Sequence, residues 1–452
     1  MNWKQLTKKG CAILAWLGMA GFSGHPALAG GVQPVPKAYD DVAVETVWSG
    51  PRLFFSDSPE SIYEKGIVFR GIADGDTRLF LHHLNETREP LKAAVLLRPV
   101  GERAYITWGL RGIGTPNKDY FQAARESQRR YFEDYARHRA DLPGADRDGY
   151  RKKVRRTGTA PDYYNIYGSR DLAVTRLEAG DFVEGLSLAK NARFVGTRVK
   201  PQELLTGMFD FRTRGPVEVL VLLTGLRDDV PAFAATAREL PMDEHPLRGI
   251  YDHSDLTYFV KKPIRLQPGQ ADALTMGVSD DPFFLRGTDP VSGTATTDYG
   301  NYGVIYHVVY TLGEATERQP VVVSLNPWGG NFSGAALAAG PSGMEVLDIP
   351  PTSLVFSEQD KRETIQTFGH GYTTQEFLWS PPGASNLPLR LFWTREEARP
   401  SRTAKGTGKN RGAGDTDTLE TAAPGRMRVL YERWKAGRDG GKEDTIGKET
   451  TK

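Results

Sequence analysis

Residues 298–337 read DYGNYGVIYHVVYTLGEATERQPVVVSLNPWGGNFSGAAL, and the fold is decided by how this stretch is read. Two runs rich in β-branched and aromatic residues, 304–312 and 320–325, flank a polar connection, and the second enters the turn Asn326-Pro327-Trp328-Gly329-Gly330. The pattern predicts a β-hairpin leading into a tight aromatic loop. Tyr306, Val308 and Tyr310 alternate along the first run, so they would share the face turned to a core.

Working outward, the same signature recurs on both sides. Strand-like runs at 42–48, 52–55, 67–69, 77–84, 91–98 and 104–108 are separated by short Ser, Gly, Asp and Pro turns, and further runs follow at 172–177, 182–188, 208–211, 217–223 and 250–260. Beyond the opening stretch come 344–349, 353–356, 364–368 and 387–393. This spacing predicts a mainly β protein built from antiparallel β-sandwich-like domains. In 77–84 neither face is purely polar, so that strand should be covered on both sides; VEVLVLL at 217–223 reads as a buried strand.

Two segments break the period and predict one or two docked helices. Over 119–139, Phe121, Ala124, Gln128, Phe132 and Tyr135 recur at three- and four-residue steps, with Asn117 or Asp119 placed to cap the start. Residues 231–240 have helical spacing behind Pro231. Lys261-Lys262 and the prolines at 263 and 268 suggest a division into an N-terminal β-rich domain, 42–262, containing a basic loop at 141–161, and a C-terminal β-sandwich-like domain, 263–398.

The chain ends differ in kind. Lys4, Lys8 and Lys9, an apolar stretch at 11–22 and Ala27-Leu28-Ala29 form the three parts of an export signal, so residues 1–29 should be a cleaved leader. An extended lead-in, 30–41, would follow. The apolar stretch is shorter than the roughly 20 residues of a membrane span. A secreted or cell-envelope location follows, without a transmembrane segment in the mature chain. Cys11, the single cysteine, lies in the leader, which removes disulfides, thiolate metal sites and cysteine nucleophiles from the mature chain. Residues 399–452 form a charged tail in which 400–424 holds almost nothing to bury, which predicts disorder, with a possible short helix at 425–437.

Charge narrows the partners. Setting aside the leader's three lysines and the tail's 13 basic and 8 acidic residues leaves 42 basic and 48 acidic residues, a net of −6. A mildly acidic body offers no general field for nucleic acid. Arg151-Lys152-Lys153-Val154-Arg155-Arg156 has no aromatic interleaving, so it reads as a solvated loop.

Candidate chemistry is sparse. His245, Asp252, His253 and Asp255 could supply imidazole and carboxylate ligands to a divalent metal, but no compact ligand spacing such as HExxH appears, and no cofactor is expected. The P-loop, dinucleotide and G-x-S-x-G patterns are absent. Tyr299, Tyr302, Trp328 and Phe332, near the ends of the expected hairpin, could form a stacking platform for sugar rings.

Residues 56–60 (SDSPE), 78–85 (RLFLHHLN), 243–249 (DEHPLRG) and 299–304 (YGNYGV) together resemble a group of uncharacterised secreted bacterial proteins, some of them labelled for a copper amine oxidase N-terminal-like stalk domain. The resemblance spans most of 48–393 and implies secretion without supplying catalytic residues. A true amine oxidase would need an Asn-Tyr-Asp/Glu motif and His-x-His copper ligands. Here Asn301-Tyr302 precedes Gly303, and His-x-His does not occur. Two readings remain: a non-catalytic envelope protein that binds a cell-wall or surface glycan or another envelope protein, and a carbohydrate-active hydrolase whose acidic pair cannot be named from sequence.

Overall fold

Alternating apolar runs need cover on both faces, and the chain supplies it by stacking four sheets. The computed structural model describes residues 31–140, 167, 172–244, 247–278, 284–313, 319–340, 343–369 and 374–395. The expected leader, the basic loop 141–161, His245 and the tail 399–452 lie outside them. Strands occupy 52% of the chain against 9% helix, so the mainly β expectation holds. The sheets are not purely antiparallel, because Arg52–Ser56 runs parallel to Asp76–Asn85, and Asp255–Val260 runs parallel to Ile305–Thr311.

The first layer places Val217–Gly225 between Leu91–Pro99 and Gly66–Ala73. The second contains, in order, Val174–Glu178, Arg103–Ile113, Leu204–Arg214, Asp76–Asn85, Arg52–Ser56 and Gly249–Tyr251, continuing to Arg286–Thr288 and Ala295–Thr297. Phe209, Phe211, Trp108, Leu79 and Leu81 from the second layer meet Val95, Leu97, Val219 and Val221 from the first in one buried cluster. The outer face of the first layer is closed by the short helix Val230–Thr236, capped by Asp229 accepting from Ala232 N–H, which packs Val230 and Ala234 against Leu220 and Leu222.

The third layer orders Gly343–Ile349, Gly334–Gly340, Thr374–Trp379, Ile305–Thr311, Asp255–Val260 and Val44–Ser49; the fourth centres on Lys361–Phe368, Val321–Asn326, Leu389–Arg395 and Ala271–Met276. The expected hairpin is therefore corrected. Its first run lies in the third layer and its second in the fourth, each between other strands. The reason is that Ile305–Thr311 is buried at every position and needs a sheet on each face. Tyr306 stacks on Trp379 at 4.5 Å and Tyr310 meets Trp393 of the fourth layer edge-on at 5.1 Å. Strands from both sides of residue 262 are interleaved here, since Val44–Ser49 and Asp255–Val260 pair within the sheet that holds Ile305–Thr311.

The helix Tyr120–Ala140, capped by Asp119 accepting from Gln122 N–H (3.1 Å), grips two layers. It lies on Arg103–Ile113 and Leu204–Arg214 on one side and on Gly334–Gly340 and Gly343–Ile349 on the other. Close approach to the second layer depends on Gly112, where an added Cβ would stand 2.2 Å from Ser127 O. Buried Gln128 ties the helix to the third layer, donating to Ser380 O (2.6 Å) and accepting from Ala335 N–H (3.0 Å).

Between the second and third layers sits a buried charge centre. Arg78 donates to both oxygens of Asp210 (2.8 and 3.0 Å), to Asp255 Oδ1 (2.7 Å), to Ser254 O (2.8 Å) and to Tyr131 OH (2.9 Å). The Tyr131 hydroxyl donates in turn to Asp210 Oδ2 (2.9 Å), and His307 Nε2 lies 3.8 Å from Asp255. Burial pushes Asp255 up, but Arg78 and His307 outweigh it and leave the carboxylate below its ordinary range.

Two outcomes are expected. Val308→Asp buries a charge without a partner in the tight contact between the third and fourth layers and should destabilise by on the order of 4 kcal/mol or prevent folding; an unchanged melting curve would show that the strand is misplaced. Arg78→Met leaves Asp210 and Asp255 buried without their cation, a loss of about 3–5 kcal/mol by denaturant titration.

Candidate functional site

The parallel pair Arg52–Ser56 and Asp76–Asn85 brings two chain ends to one edge, and the loop that leaves the first strand carries Asp57, Ser58, Pro59 and Glu60. His83 holds this loop. Its Nδ1 lies 3.0 Å from Pro59 O, which can only accept, so Nδ1 bears the proton and Nε2 accepts from Ser56 Oγ at 2.8 Å. Burial lowers His83 to about 4 and His82 to about 3, so both rings are neutral near pH 7.

A second segment closes on the loop from far away in sequence. Ser58 Oγ donates to Asp243 Oδ1 (2.9 Å) and accepts from Asp243 N–H (3.0 Å), and Glu60 N–H donates to Asp243 Oδ2 (2.8 Å). Arg248 anchors this segment from below. Fully buried, it donates twice to Asp289 (2.8 and 3.1 Å) and to the carbonyls of Leu240 (2.9 Å) and Val68 (3.1 Å). A third contribution is the turn before Ile305–Thr311, where Asp298 Oδ1 accepts from Tyr302 N–H at 3.1 Å.

Four carboxyl groups, Asp57, Glu60, Asp243 and Asp298, thus belong to one neighbourhood, and their environments differ. Asp57 and Asp298 are buried, and among the described residues Asp57 Oδ1 and Asp298 Oδ2 have no hydrogen-bond partner. Burial, followed by Glu60, Asp243 and Asp298, raises Asp57 well above the usual carboxylate range. Burial raises Asp298 too, against the pull of the Tyr302 and Asn301 N–H groups. Glu60 is different: 46% of its side chain is open to solvent, so water screens part of the burial that acts on it. Burial and then Asp243 push it up to about 7. His82 Nε2 lies 3.9 Å from Glu60.

The aromatic residues singled out from sequence are partly brought together. Tyr302 is half-buried and its hydroxyl donates to Ser385 O (3.3 Å); Gly329 N–H, next to Trp328, donates to Pro388 O (2.7 Å). Tyr302 and Trp328 therefore border the same short segment, 385–388. Tyr299 and Trp328 are 56% and 45% exposed. Phe332, by contrast, is core, 1% exposed and edge-on to Trp379 at 6.1 Å, its backbone exchanging hydrogen bonds with Phe356 (2.9 and 3.0 Å). Of the metal candidates, Asp252 and His253 are exposed while Asp255 faces Arg78, so these three do not converge. Among the described residues no three His, Asp or Glu side chains are grouped to hold a metal ion.

The carboxyl cluster was not named from sequence. Its members stand as far apart as 57 and 298, and only tertiary contact relates them; all four belong to the segments 56–60, 243–249 and the opening stretch, which the resemblance and the fold argument had already marked.

No family model matches the chain, and no curated protein matches it. Solved structures with some likeness include the CUB1-EGF-CUB2 domains of rat MASP-1, at 10% identity over 74% of this chain and 99% of that one, with a TM-score of 0.15. Another is the Penaeus vannamei nodavirus particle, at 8% identity over 78% and 97% of the two chains, with a TM-score of 0.12. Vicilin from Corylus avellana matches at 8% identity over 80% and 86%, with a TM-score of 0.11. Scores this low carry no argument about this protein.

Because Glu60 binds its proton more tightly when folded, its stabilising contribution is complete below its ordinary value of 4.5 and is lost as pH rises through about 7. Glu60→Gln cannot ionise, so its melting temperature should improve relative to the wild type between about pH 5 and pH 8. A gap that stays constant across that range would show that Glu60 titrates as an ordinary surface acid.

Proposed function

We propose that this is an exported cell-envelope protein that binds a neutral surface polysaccharide along the edge joining the carboxyl cluster to Trp328. The observation that supports it is the continuity of that edge: Asp298 to Tyr302, Tyr302 to Ser385, and Pro388 to the Trp328–Gly329 turn. Carboxyl groups hydrogen-bond sugar hydroxyls, and flat aromatic faces stack on the apolar face of a pyranose ring. Both side-chain types are present on one rim.

Trp328 is suited to stacking. Its ring lies over the Arg390 guanidinium at 3.9 Å, and Arg390 is itself buried and donates to Thr275 Oγ1 (3.2 Å). One face of the indole is thereby fixed, while the side chain remains substantially exposed. The net of −6 for residues 30–398 opposes polyanions, which favours a neutral polymer. Export rests on residues 1–29, and among the described residues no helix is long and apolar enough to cross a membrane.

Retention on insoluble chitin, cellulose, β-1,3-glucan and xylan tests the reading. At least one should retain the protein, and Trp328→Ala should weaken that retention by about 1 kcal/mol, roughly fivefold. Failure to bind any of the four would sink the proposal, and an unaltered Trp328→Ala variant would remove the aromatic part of the site.

A further inference from the structure

Arg390, Phe392 and Thr394 alternate along their strand with the core residues Leu389, Leu391 and Trp393, so they point away from the third layer. None of them is more than 7% exposed. The N-terminal lead-in lies over this outer face. The Tyr39 ring meets Phe392 edge-on at 5.1 Å, and buried Arg362 donates to Pro34 O (3.2 Å) and to Gln33 Oε1 (2.6 Å).

The lead-in is fastened at both edges of the fourth layer. Gln33 and Pro34 pair with Arg362 and Lys361 at one edge, where Val35 N–H donates to Asp360 O (2.9 Å). Asp40 and Asp41 pair with Asp272 and Ala273 at the other, where Val42 N–H donates to Ala273 O (2.9 Å). Between these anchors the chain crosses four strands, a distance on the order of 20 Å at about 4.8 Å between neighbours, which the residues from Pro34 to Asp40 reach only when nearly extended. It has no slack.

A taut segment sets Tyr39 beside Arg390. The guanidinium lies 3.9 Å from the Trp328 ring, 5.3 Å from Tyr39 and 5.8 Å from Phe392, and its Nε donates to Thr275 Oγ1 (3.2 Å). Three rings and a hydroxyl confine one planar cation. The Trp328 backbone is held separately, since an added Cβ at the next residue, Gly329, would stand 2.1 Å from Leu387 O.

We propose that residues 33–42 are a strap that positions Trp328, with Tyr39 acting through Arg390 on the ring that stacks on the sugar. The use of the ring rests on the polysaccharide-binding reading above; the hold of the strap on the ring is read without any polymer. Tyr39 is a positioning residue. Without its ring the guanidinium loses one wall and regains side-chain freedom, and Trp328 loses a fixed partner.

The test is fluorine NMR of the full chain carrying 5-fluorotryptophan, with Trp328→Phe assigning the Trp328 resonance. Tyr39→Ala should shift or broaden that resonance and leave the other tryptophan resonances in place, whereas Tyr39→Phe, which keeps the ring, should leave the whole spectrum as in the wild type. An unmoved Trp328 resonance in Tyr39→Ala would overturn the proposal, and so would a spectrum in which all tryptophan resonances move together, because that is general loosening. If a melting curve shows that Tyr39→Ala does not fold, Arg390→Lys, which keeps the charge and removes the flat face, should move the same resonance; no movement there overturns the proposal equally. On a polymer that retains the wild type, Tyr39→Ala should weaken retention about two- to fivefold and add nothing in the Trp328→Ala background. An equal loss in that background would show that Tyr39 does not act through Trp328. If no polymer retains the wild type, the binding proposal falls and the resonance still decides the strap.

Discussion

The Arg78 guanidinium is the constraint on which the middle of the molecule depends. Taking a charge out of water costs several kcal/mol, and it is tolerated only when the surrounding groups satisfy every donor. Here the donors reach Asp210 in the same sheet, Asp255 in the next and Tyr131 on the intervening helix. Hydrophobic contact alone would let two sheets slide, because it is indifferent to direction. Directed bonds from three elements fix how the second layer, the third layer and the helix sit on one another. The strand that carries Arg78 also carries His82 and His83, so the alignment set near its start also places the loop that holds Glu60.

Two buried polar centres in one molecule solve the same problem differently. Around Arg78, a fixed cation compensates carboxylates. Beside the loop lies Arg248, whose two forked donors are already committed to Asp289 while the remaining arm serves main-chain carbonyls. No cation is shown on Asp57, Asp298 or Glu60 among the described residues, and burial raises all three. A centre balanced by a cation is inert to pH over a wide range; one without a cation is poised to exchange protons. That difference separates the structural centre from the candidate site.

The local layers of this organisation were legible in sequence, and the long-range ones were not. β-rich runs between turn residues marked strands such as Asp76–Asn85, and Asp119 with the three- and four-residue apolar steps marked the long helix almost to its ends. Pairing partners are another matter. The runs 304–312 and 320–325 look like the arms of a hairpin because they are adjacent and similar, yet adjacency says nothing about which sheet each must cover. Total burial of Ile305–Thr311 was the clue that it needed two neighbouring layers. The carboxyl cluster was hidden for the same reason: the contact between Ser58 and Asp243 spans 185 residues. Phe332 was read as a platform residue beside Trp328, but its backbone is held by Phe356 and its ring packs on Trp379.

The neutrality of the two histidines links the packing to the chemistry. A protonated imidazole 3.9 Å from Glu60 would favour its carboxylate and pull it down toward the ordinary range. His82 is kept neutral by burial, and part of that burial comes from Gly383, where an added Cβ would stand 2.2 Å from His82 Nδ1. Only a residue without a side chain lets the 381–385 turn lie this close. The same turn supplies Ser385, whose carbonyl receives the Tyr302 hydroxyl and whose Oγ accepts from Ser333 N–H. One turn therefore dries the histidine that must stay neutral and joins the carboxyl cluster to the aromatic rim, which is why the electrostatic and the stacking halves of the site belong to one construction.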